Sequence, residues 1–126
     1  MTQKQKTTVL YVEDNEDNAY MLSHRLKRRG FDVLLAEDGE IGITMARDLK
    51  PDIILMDLNL PVVDGWSATQ LLRSDTATKA IPIIAVSSHV LPEEREKALQ
   101  AGCTDYETKP IDFERLLLKI ENCLEK

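Results

Sequence analysis

Three acidic residues stand directly after short apolar segments of this chain of 126 residues. Glu13 and Asp14 follow segment 8–12, and Asp57 follows segment 52–56. Two carboxylates about 5 Å apart repel each other by roughly 3 kcal/mol at an effective dielectric constant of about 20. A bound divalent cation removes that cost, and a set of oxygen ligands favours Mg²⁺, or Mn²⁺, over zinc. The sequence therefore predicts a magnesium site, provided that the two segments end side by side.

A hydroxyl group and an ammonium group follow two further segments that are predicted to be strands. Ser87 comes after segment 83–86, and Lys109 closely follows segment 104–107. Asp57, beside a metal ion, can attack a phosphoryl group as a nucleophile and form an aspartyl phosphate. Lys109 would neutralise the oxygens of the transferred group, and Ser87 would donate a hydrogen bond to one of them. No residue is placed as a strong general base for hydrolysis, so we expect a persistent product that suits a switch better than a turnover enzyme.

Alternating strand and helix patterns must bring these residues together. Apolar segments predict strands over residues 8–12, 31–36, 52–56 and 83–86, and a shorter, more polar segment predicts an edge strand over 104–107. Helical patterns follow each of them: one that stops at Gly30, two over residues 39–49 and 65–73, one from Pro92 to Gly102, and one capped by Asp112. This alternation predicts an α/β fold with a doubly wound, five-stranded parallel sheet, (βα)5, in the flavodoxin-like order 2-1-3-4-5. Ligand sites of such sheets lie beyond the carboxyl ends of the strands, where the residues above are found.

The composition is that of one acidic domain. Sixteen Lys and Arg against 22 Asp and Glu give a net charge of −6, which argues against nucleic acid as a direct partner. No apolar run is long enough to cross a bilayer and the first residues do not form a signal peptide, so we expect a cytoplasmic protein without membrane contact. The two cysteines fit no zinc or redox motif. We expect one domain over residues 1–126, with its core over about 8–124 after a polar tail, 1–7.

The functional residues lie in motifs that resemble the receiver domain of two-component response regulators, in particular the single-domain receivers similar to chemotaxis regulators. The resemblance extends from Thr8 to about Leu124. Its motifs are Val12-Glu13-Asp14-Asn15, Met56-Asp57-Leu58-Asn59-Leu60-Pro61, Asp64-Gly65, Val86-Ser87-Ser88-His89 and Lys109-Pro110, in that order. Any one of them is a weak signal, and all of them in this order are a strong one.

The resemblance implies a function and a set of site residues. Asp57 would accept a phosphoryl group from a histidine kinase or a histidine phosphotransfer protein. Asp14 and Asp57 would ligate Mg²⁺ directly, Glu13 would act through water, and Asn59 would contribute its main-chain carbonyl. The chain would then be a signalling receiver rather than an enzyme, catalysing only its own phosphorylation and dephosphorylation.

The resemblance also implies how the signal would spread. Lys109 would pair with the phosphoryl group, and the peptide bond before Pro110 would be cis. Ser87 would move toward the phosphoryl group, and the ring of Tyr106 would turn inward after it. The surface around the fourth helix, the fifth strand and the fifth helix would then change, and the receiver would bind a downstream target or form a phosphorylation-linked dimer. His89 is interpreted as a surface loop residue.

Three other functions have weaker support. A phosphatase of the haloacid-dehalogenase type usually carries a second aspartate two residues after the nucleophile, where this chain has Asn59. A flavin-binding module would need a hydroxyl- and glycine-rich loop after the first strand, and this loop is acidic. A pseudo-receiver that binds partners without phosphorylation would not need the phosphorylation residues, which are all present. The start at Met1 and the full set of elements favour a free-standing receiver over a part of a larger protein.

A basic cluster near the end of the first helix has two interpretations. It consists of Arg25, Lys27, Arg28 and Arg29. Positive side chains are favourable at the carboxyl end of a helix, which explains the cluster without a partner. Alternatively, it docks to an acidic patch on the phosphodonor.

Overall fold

Five strands alternate with five helices in the computed structural model, which describes residues 6–60, 62–88 and 91–125. Pro61 and His89 of the predicted motifs, and residues 1–5 of the predicted tail, lie outside the described residues, so the interpretation of His89 stays a prediction. The strands are β1 (Thr8–Val12), β2 (Asp32–Ala36), β3 (Ile53–Asp57), β4 (Ile83–Ser87) and β5 (Asp105–Thr108). The helices are α1 (Glu16–Arg28), α2 (Gly39–Leu49), α3 (Gly65–Ser74), α4 (Pro92–Ala101) and α5 (Phe113–Leu124).

The strands form one parallel sheet in the order β2-β1-β3-β4-β5, which confirms the predicted fold class and strand order. Val12 of β1 pairs with Met56 of β3, so the residues that follow them, Glu13 and Asp57, emerge at the same edge. Asp57 in turn pairs with Val86 of β4. The register thus brings the carboxyl ends of β1, β3 and β4 side by side.

Helices cover both faces of the sheet because alternate residues of each strand point to opposite sides. On one face, apolar residues of the strands pack with α2, α3 and α4, represented by Ala46, Leu72 and Ala98. On the other face, they pack with α1 and α5, represented by Leu26 and Leu116. β3 and β4 are buried along their whole length, which explains why their sequences are continuous apolar runs. No helix of the described residues is long and apolar enough to span a membrane.

Four of the predicted strands have boundaries that are wrong by one residue: β2, β3 and β5 begin one residue later than predicted, and β3, β4 and β5 end one residue later. β3 begins after Asp52, whose carboxylate accepts a hydrogen bond from the main-chain N–H of Thr8 at 2.8 Å, and it includes Asp57. β4 includes Ser87, and β5 extends to Thr108. The polar residue types suggested a loop, but backbone pairing with the neighbouring strand continues through them. The phosphorylation and switch candidates therefore belong to the rigid sheet.

Candidate functional site

The three acidic residues meet at the carboxyl edge of β1 and β3. One carboxylate oxygen from each of Glu13, Asp14 and Asp57 lies within 4.8 Å of the others. Glu13 and Asp57 are each only 3% exposed, whereas Asp14 faces solvent. Asn15 caps α1 by accepting a hydrogen bond from the main-chain N–H of Asn18 at 2.9 Å, so the chain turns into the helix directly after the acidic pair. The acids thus form a small polar site in which Glu13 and Asp57 are buried and Asp14 is open to solvent.

Lys109 lies between the two buried carboxylates. Its Nζ donates hydrogen bonds to Oε1 of Glu13 at 2.9 Å and to Oδ2 of Asp57 at 3.0 Å. Burial lowers the pKa of Lys109, but the two carboxylates outweigh burial and the net pKa is raised, so the ammonium group stays charged. The Lys109-Pro110 peptide bond is cis, which is the isomer that the family resemblance implies.

Asp57 is held in place by its backbone and by both carboxylate oxygens. Oδ1 accepts a hydrogen bond from the main-chain N–H of Asn59 at 2.9 Å, while Oδ2 faces Lys109. Gly65, the first residue of α3, packs against this segment so closely that a Cβ there would lie 2.4 Å from the carbonyl oxygen of Asp57. The Asp64-Gly65 motif therefore lets α3 begin directly against the functional strand. Asn59 itself is exposed beside the acidic cluster.

Tyr11 is a site residue that our sequence reasoning missed. It is 1% exposed, and its hydroxyl donates a hydrogen bond to Oε1 of Glu13 at 2.9 Å. Burial and the neighbouring charge of Asp57 raise the pKa of Glu13, although Lys109 and Tyr11 oppose this rise. Burial and the charge of Glu13 raise the pKa of Tyr11 above its ordinary range, so its hydroxyl remains a donor. The strand alternation places Tyr11 and Glu13 on one face and could have revealed this pair.

The two predicted switch residues share one face of the sheet. Ser87 is fully buried at the end of β4. Tyr106 of β5 pairs with Ala85, two residues before Ser87, so their side chains point to the same side. Tyr106 is only 4% exposed and packs with the core that α3 and α4 cover. The ring of Tyr106 is therefore buried in this structure, and the turn that the resemblance associates with signalling stays a prediction.

Glu107 is a second buried acid that the sequence did not single out. Its side chain is 0% exposed and is neutralised by two cations of α5, with 2.8 Å to Nη2 of Arg115 and 2.9 Å to Nζ of Lys119. Burial raises the pKa of Glu107, but Arg115 and Lys119 outweigh it and the net pKa is lowered. Lys119 also donates a hydrogen bond to the main-chain carbonyl of Tyr106. The fifth strand lies at the edge of the sheet, as predicted, and its polar residue Glu107 ties it to α5.

The basic cluster of α1 is partly engaged with α5. The guanidinium group of Arg25 lies over the ring of Phe113, 4.3 Å from its centroid. Arg29 forms an exposed ion pair with Glu114 at 3.2 Å. These contacts add a structural role to the favourable position at the helix end. They do not test the alternative of a docking patch.

The donor set of the acidic cluster fits a hard divalent cation. All three side chains offer oxygen, and the exposed position of Asp14 leaves the cluster open to solvent. Mg²⁺ retains several waters and needs only a few protein ligands, which such a partly open cluster allows. A buried carboxylate with a lysine beside it also matches the requirements for accepting a phosphoryl group.

Comparisons with known proteins agree with this geometry. The family model of the response regulator receiver domain matches residues 9–121. PilH of Pseudomonas aeruginosa is 39% identical over 116 residues, which cover 92% of this chain and 96% of PilH. The polar-differentiation response regulator DivK of Brucella anthropi is 34% identical over 117 residues, which cover 93% of this chain and 95% of DivK.

Solved structures of receiver domains are also similar to this chain. One similar structure is the receiver domain of a sensor histidine kinase from Pseudomonas aeruginosa PAO1, which has a magnesium ion coordinated in its active-site cleft. It superposes on this chain with a TM-score of 0.90 at 35% identity, and the match covers 97% of this chain and 100% of that domain. The chemotaxis response regulator CheY4 of Vibrio cholerae superposes with a TM-score of 0.89 at 29% identity, over 95% of this chain and 100% of CheY4. Sequence, fold and the chemistry of the carboxyl edge thus lead to one family, and this chain belongs to the response regulator receiver domains of two-component signalling.

Proposed function

We propose that Asp57 is the residue on which this receiver domain is phosphorylated. The observation that carries the proposal is the position of its carboxylate, which is 3% exposed, anchored through Oδ1 by Asn59 and paired through Oδ2 with Lys109. One Asp57 oxygen would attack the phosphorus of a phosphohistidine. A P–O bond forms as the P–N bond breaks, and the electron pair of the P–N bond stays on the imidazole, which leaves in its neutral form because its other ring nitrogen already carries a proton. The donor would be a histidine kinase or a histidine phosphotransfer protein.

The acidic cluster would hold Mg²⁺, or Mn²⁺, for this reaction. Glu13, Asp14 and Asp57 supply the carboxylates, and the main-chain carbonyl of Asn59 is the further ligand that the family resemblance implies. The metal ion would draw negative charge from the oxygens of the transferred phosphoryl group. Its binding would also offset the repulsion among the three acids, which Lys109 alone offsets only in part.

Lys109, Ser87 and Tyr106 would convert phosphorylation into a structural change. The phosphoryl group adds a charge of roughly −1.5 to −2 next to Glu13 and Asp14. Lys109 would move its contacts toward the new oxygens, and Ser87 would donate a hydrogen bond to one of them. Shifting a two-state equilibrium from 1:99 to 99:1 takes about 5.5 kcal/mol, which two or three charge-assisted hydrogen bonds can supply. The affected surface would be that of α4, β5 and α5.

The domain would act as one unit. The core elements from β1 to α5 cover residues 8–124, and the two helix layers pack against a single sheet. We therefore propose one receiver domain over residues 1–126. Its own catalysis would be limited to accepting and losing the phosphoryl group.

Phosphorylation with a small donor tests the proposal directly. The protein is incubated with acetyl phosphate and Mg²⁺, and the hydroxylamine-labile phosphoryl adduct is measured by mass spectrometry. Asp57→Asn removes the acceptor, and Asp48→Asn is the matched control because Asp48 is an exposed aspartate of α2. We expect the adduct in the wild type and in Asp48→Asn, none in Asp57→Asn, and none when EDTA removes the metal ion. An adduct in Asp57→Asn, or none in the wild type with Mg²⁺ present, would contradict the proposal.

A further inference from the structure

We propose that Tyr11 is a positioning residue of the metal site and acts by fixing the carboxylate of Glu13. This inference rests on the proposed function, since it concerns the same Mg²⁺ site. Tyr11 is buried in the core, and its contribution to the site passes through one hydrogen bond to Glu13.

Three donors define the orientation of the Glu13 carboxylate. Oε1 accepts hydrogen bonds from the Tyr11 hydroxyl and from Nζ of Lys109, both at 2.9 Å. Oε2 accepts a longer hydrogen bond, 3.2 Å, from the main-chain N–H of Asn15. Of these donors, Lys109 also bonds to Asp57. Tyr11 donates the shorter of the two remaining bonds.

The ring of Tyr11 is a rigid support for its hydroxyl. It lies in the core between the sheet and the helices α1 and α5, where it packs with Leu22, Leu26 and Phe113. A hydroxyl that is carried by a packed ring and forms its hydrogen bond inside the protein holds its acceptor in one orientation. The anchor for Glu13 therefore belongs to the core rather than to the longer, more adaptable side chains of the site.

A glutamate has particular need of such an anchor. Its carboxylate is one carbon–carbon bond farther from the backbone than that of aspartate, and it loses more rotamer freedom when it is fixed. Without the hydroxyl of Tyr11, Glu13 would be held by Lys109 and by the longer bond to Asn15. The pair of Tyr11 and Glu13 thus acts as a unit, and shortening the acid to aspartate should make the hydroxyl dispensable.

The experiment is a double-mutant cycle on Mg²⁺ affinity, measured by isothermal titration calorimetry. The proteins are the wild type, Tyr11→Phe, Glu13→Asp and the double variant, with Tyr20→Phe as the control because Tyr20 is 69% exposed on α1. We expect Tyr11→Phe to weaken Mg²⁺ binding about 10-fold, the size typical for a lost outer-shell partner of a metal ligand. The phosphorylation rate of Tyr11→Phe should accordingly depend more steeply on the Mg²⁺ concentration than that of the wild type. In the Glu13→Asp background the same change should have no further effect.

A second measurement on the intact site keeps the test independent of variant stability. The chain has three tyrosines, so incorporation of 3-fluorotyrosine gives three fluorine signals, which Tyr20→Phe and Tyr106→Phe assign. We expect the Tyr11 signal to shift on addition of Mg²⁺, because its hydrogen-bond acceptor changes partners, while the Tyr20 signal stays in place.

The outcomes separate the two proposals. A wild type that binds no Mg²⁺ overturns both the proposed function and this inference. A wild type that binds Mg²⁺, together with a Tyr11→Phe variant of unchanged affinity or a Tyr11 fluorine signal that does not move, overturns only the role of Tyr11. Equal losses from Tyr11→Phe in the wild-type and the Glu13→Asp backgrounds would likewise show that the tyrosine is a packing residue.

Discussion

Replacing Lys109 by methionine should destabilise the metal-free protein, because two buried carboxylates then lose the cation between them. The ammonium group lies 2.9 Å from Glu13 and 3.0 Å from Asp57. Each pair is worth about 6 kcal/mol of Coulomb energy at an effective dielectric constant of about 20, before desolvation is counted. Protonation of Glu13 limits the net loss, because bringing a carboxyl group with an ordinary pKa of 4.5 to its neutral form at pH 7 costs about 3 kcal/mol. We therefore expect a loss of about 2 to 3 kcal/mol in the free energy of unfolding.

Urea unfolding at pH 7, with EDTA and with saturating Mg²⁺, measures this loss. Mg²⁺ supplies a cation to the same carboxylates, so the deficit of Lys109→Met should shrink when the metal ion is present. The deficit should also shrink as the pH falls through the raised pKa of Glu13, since a proton then removes the repulsion. In the wild type the contribution of Lys109 is complete at neutral pH, because its raised pKa delays the loss until the pH exceeds the ordinary value of 10.5.

A matched variant and a clear refutation complete the test. Lys27→Met removes an exposed lysine of α1 and should leave stability nearly unchanged in both conditions. If Lys109→Met is as stable as the wild type in EDTA, the carboxylates do not repel as the distances indicate. If its deficit is the same with and without Mg²⁺, the metal ion does not bind at this cluster.

Four further substitutions test three other parts of the structure. Gly65→Ala should destabilise the protein by about 2 kcal/mol or more and slow its phosphorylation, because the new methyl group would lie 2.4 Å from the carbonyl oxygen of Asp57; urea unfolding and the acetyl-phosphate assay measure both effects. Val62→Asn should stabilise by about 1 kcal/mol, since Val62 has a φ of 70° that asparagine tolerates better than a β-branched residue; an unchanged unfolding midpoint would count against strain there. Lys119→Met should destabilise the protein by about 2 kcal/mol, because it leaves the buried carboxylate of Glu107 with one cation fewer. Glu107→Leu should be neutral or stabilising, because it removes the buried charge itself. A larger loss of stability in Glu107→Leu than in Lys119→Met would contradict this expectation. Because the pKa of Glu107 is lowered, the contribution of its ion pairs is present above the ordinary value of 4.5 and is lost as the pH falls through the lower folded value.

The sequence predicted the fold because its strongest signals are local. Continuous apolar runs with helical segments between them define a parallel sheet that is covered on both faces, and β3 and β4 show this pattern up to their last residues, Asp57 and Ser87. The start of α5 was readable from Asp112, whose side chain accepts the expected main-chain hydrogen bond, and the structure shows that Asp38 and Asp64 cap α2 and α3 in the same way. Strand ends were less readable, because Asp57 and Ser87 are polar residue types in strand geometry.

The site was predictable to the extent that it depends on strand ends. Glu13, Asp57 and Lys109 come together because the parallel sheet aligns those ends, and the distances agree with that expectation. Tyr11 and Glu107 were not singled out, since the role of each residue depends on a partner that only the folded structure brings next to it. A tyrosine in a strand is ordinarily a packing residue, and only the position of Glu13 gives its hydroxyl a role. Glu107 is buried only because α5 supplies two cations from distant positions in the chain.

The short strand β5 connects the two parts of the molecule that a switch must couple. Lys109 follows its carboxyl end and bonds directly to Asp57, so a change of charge at Asp57 acts on the end of this strand first. Tyr106 points into the core under α3 and α4, while Glu107 is paired with α5 on the other face. β5 lies at the edge of the sheet and pairs only with β4, so fewer backbone hydrogen bonds resist its displacement than for the central strands. A movement of Lys109 would therefore displace β5, whose side chains contact both helix layers. The buried ion pairs of Glu107 would make α5 move with the strand.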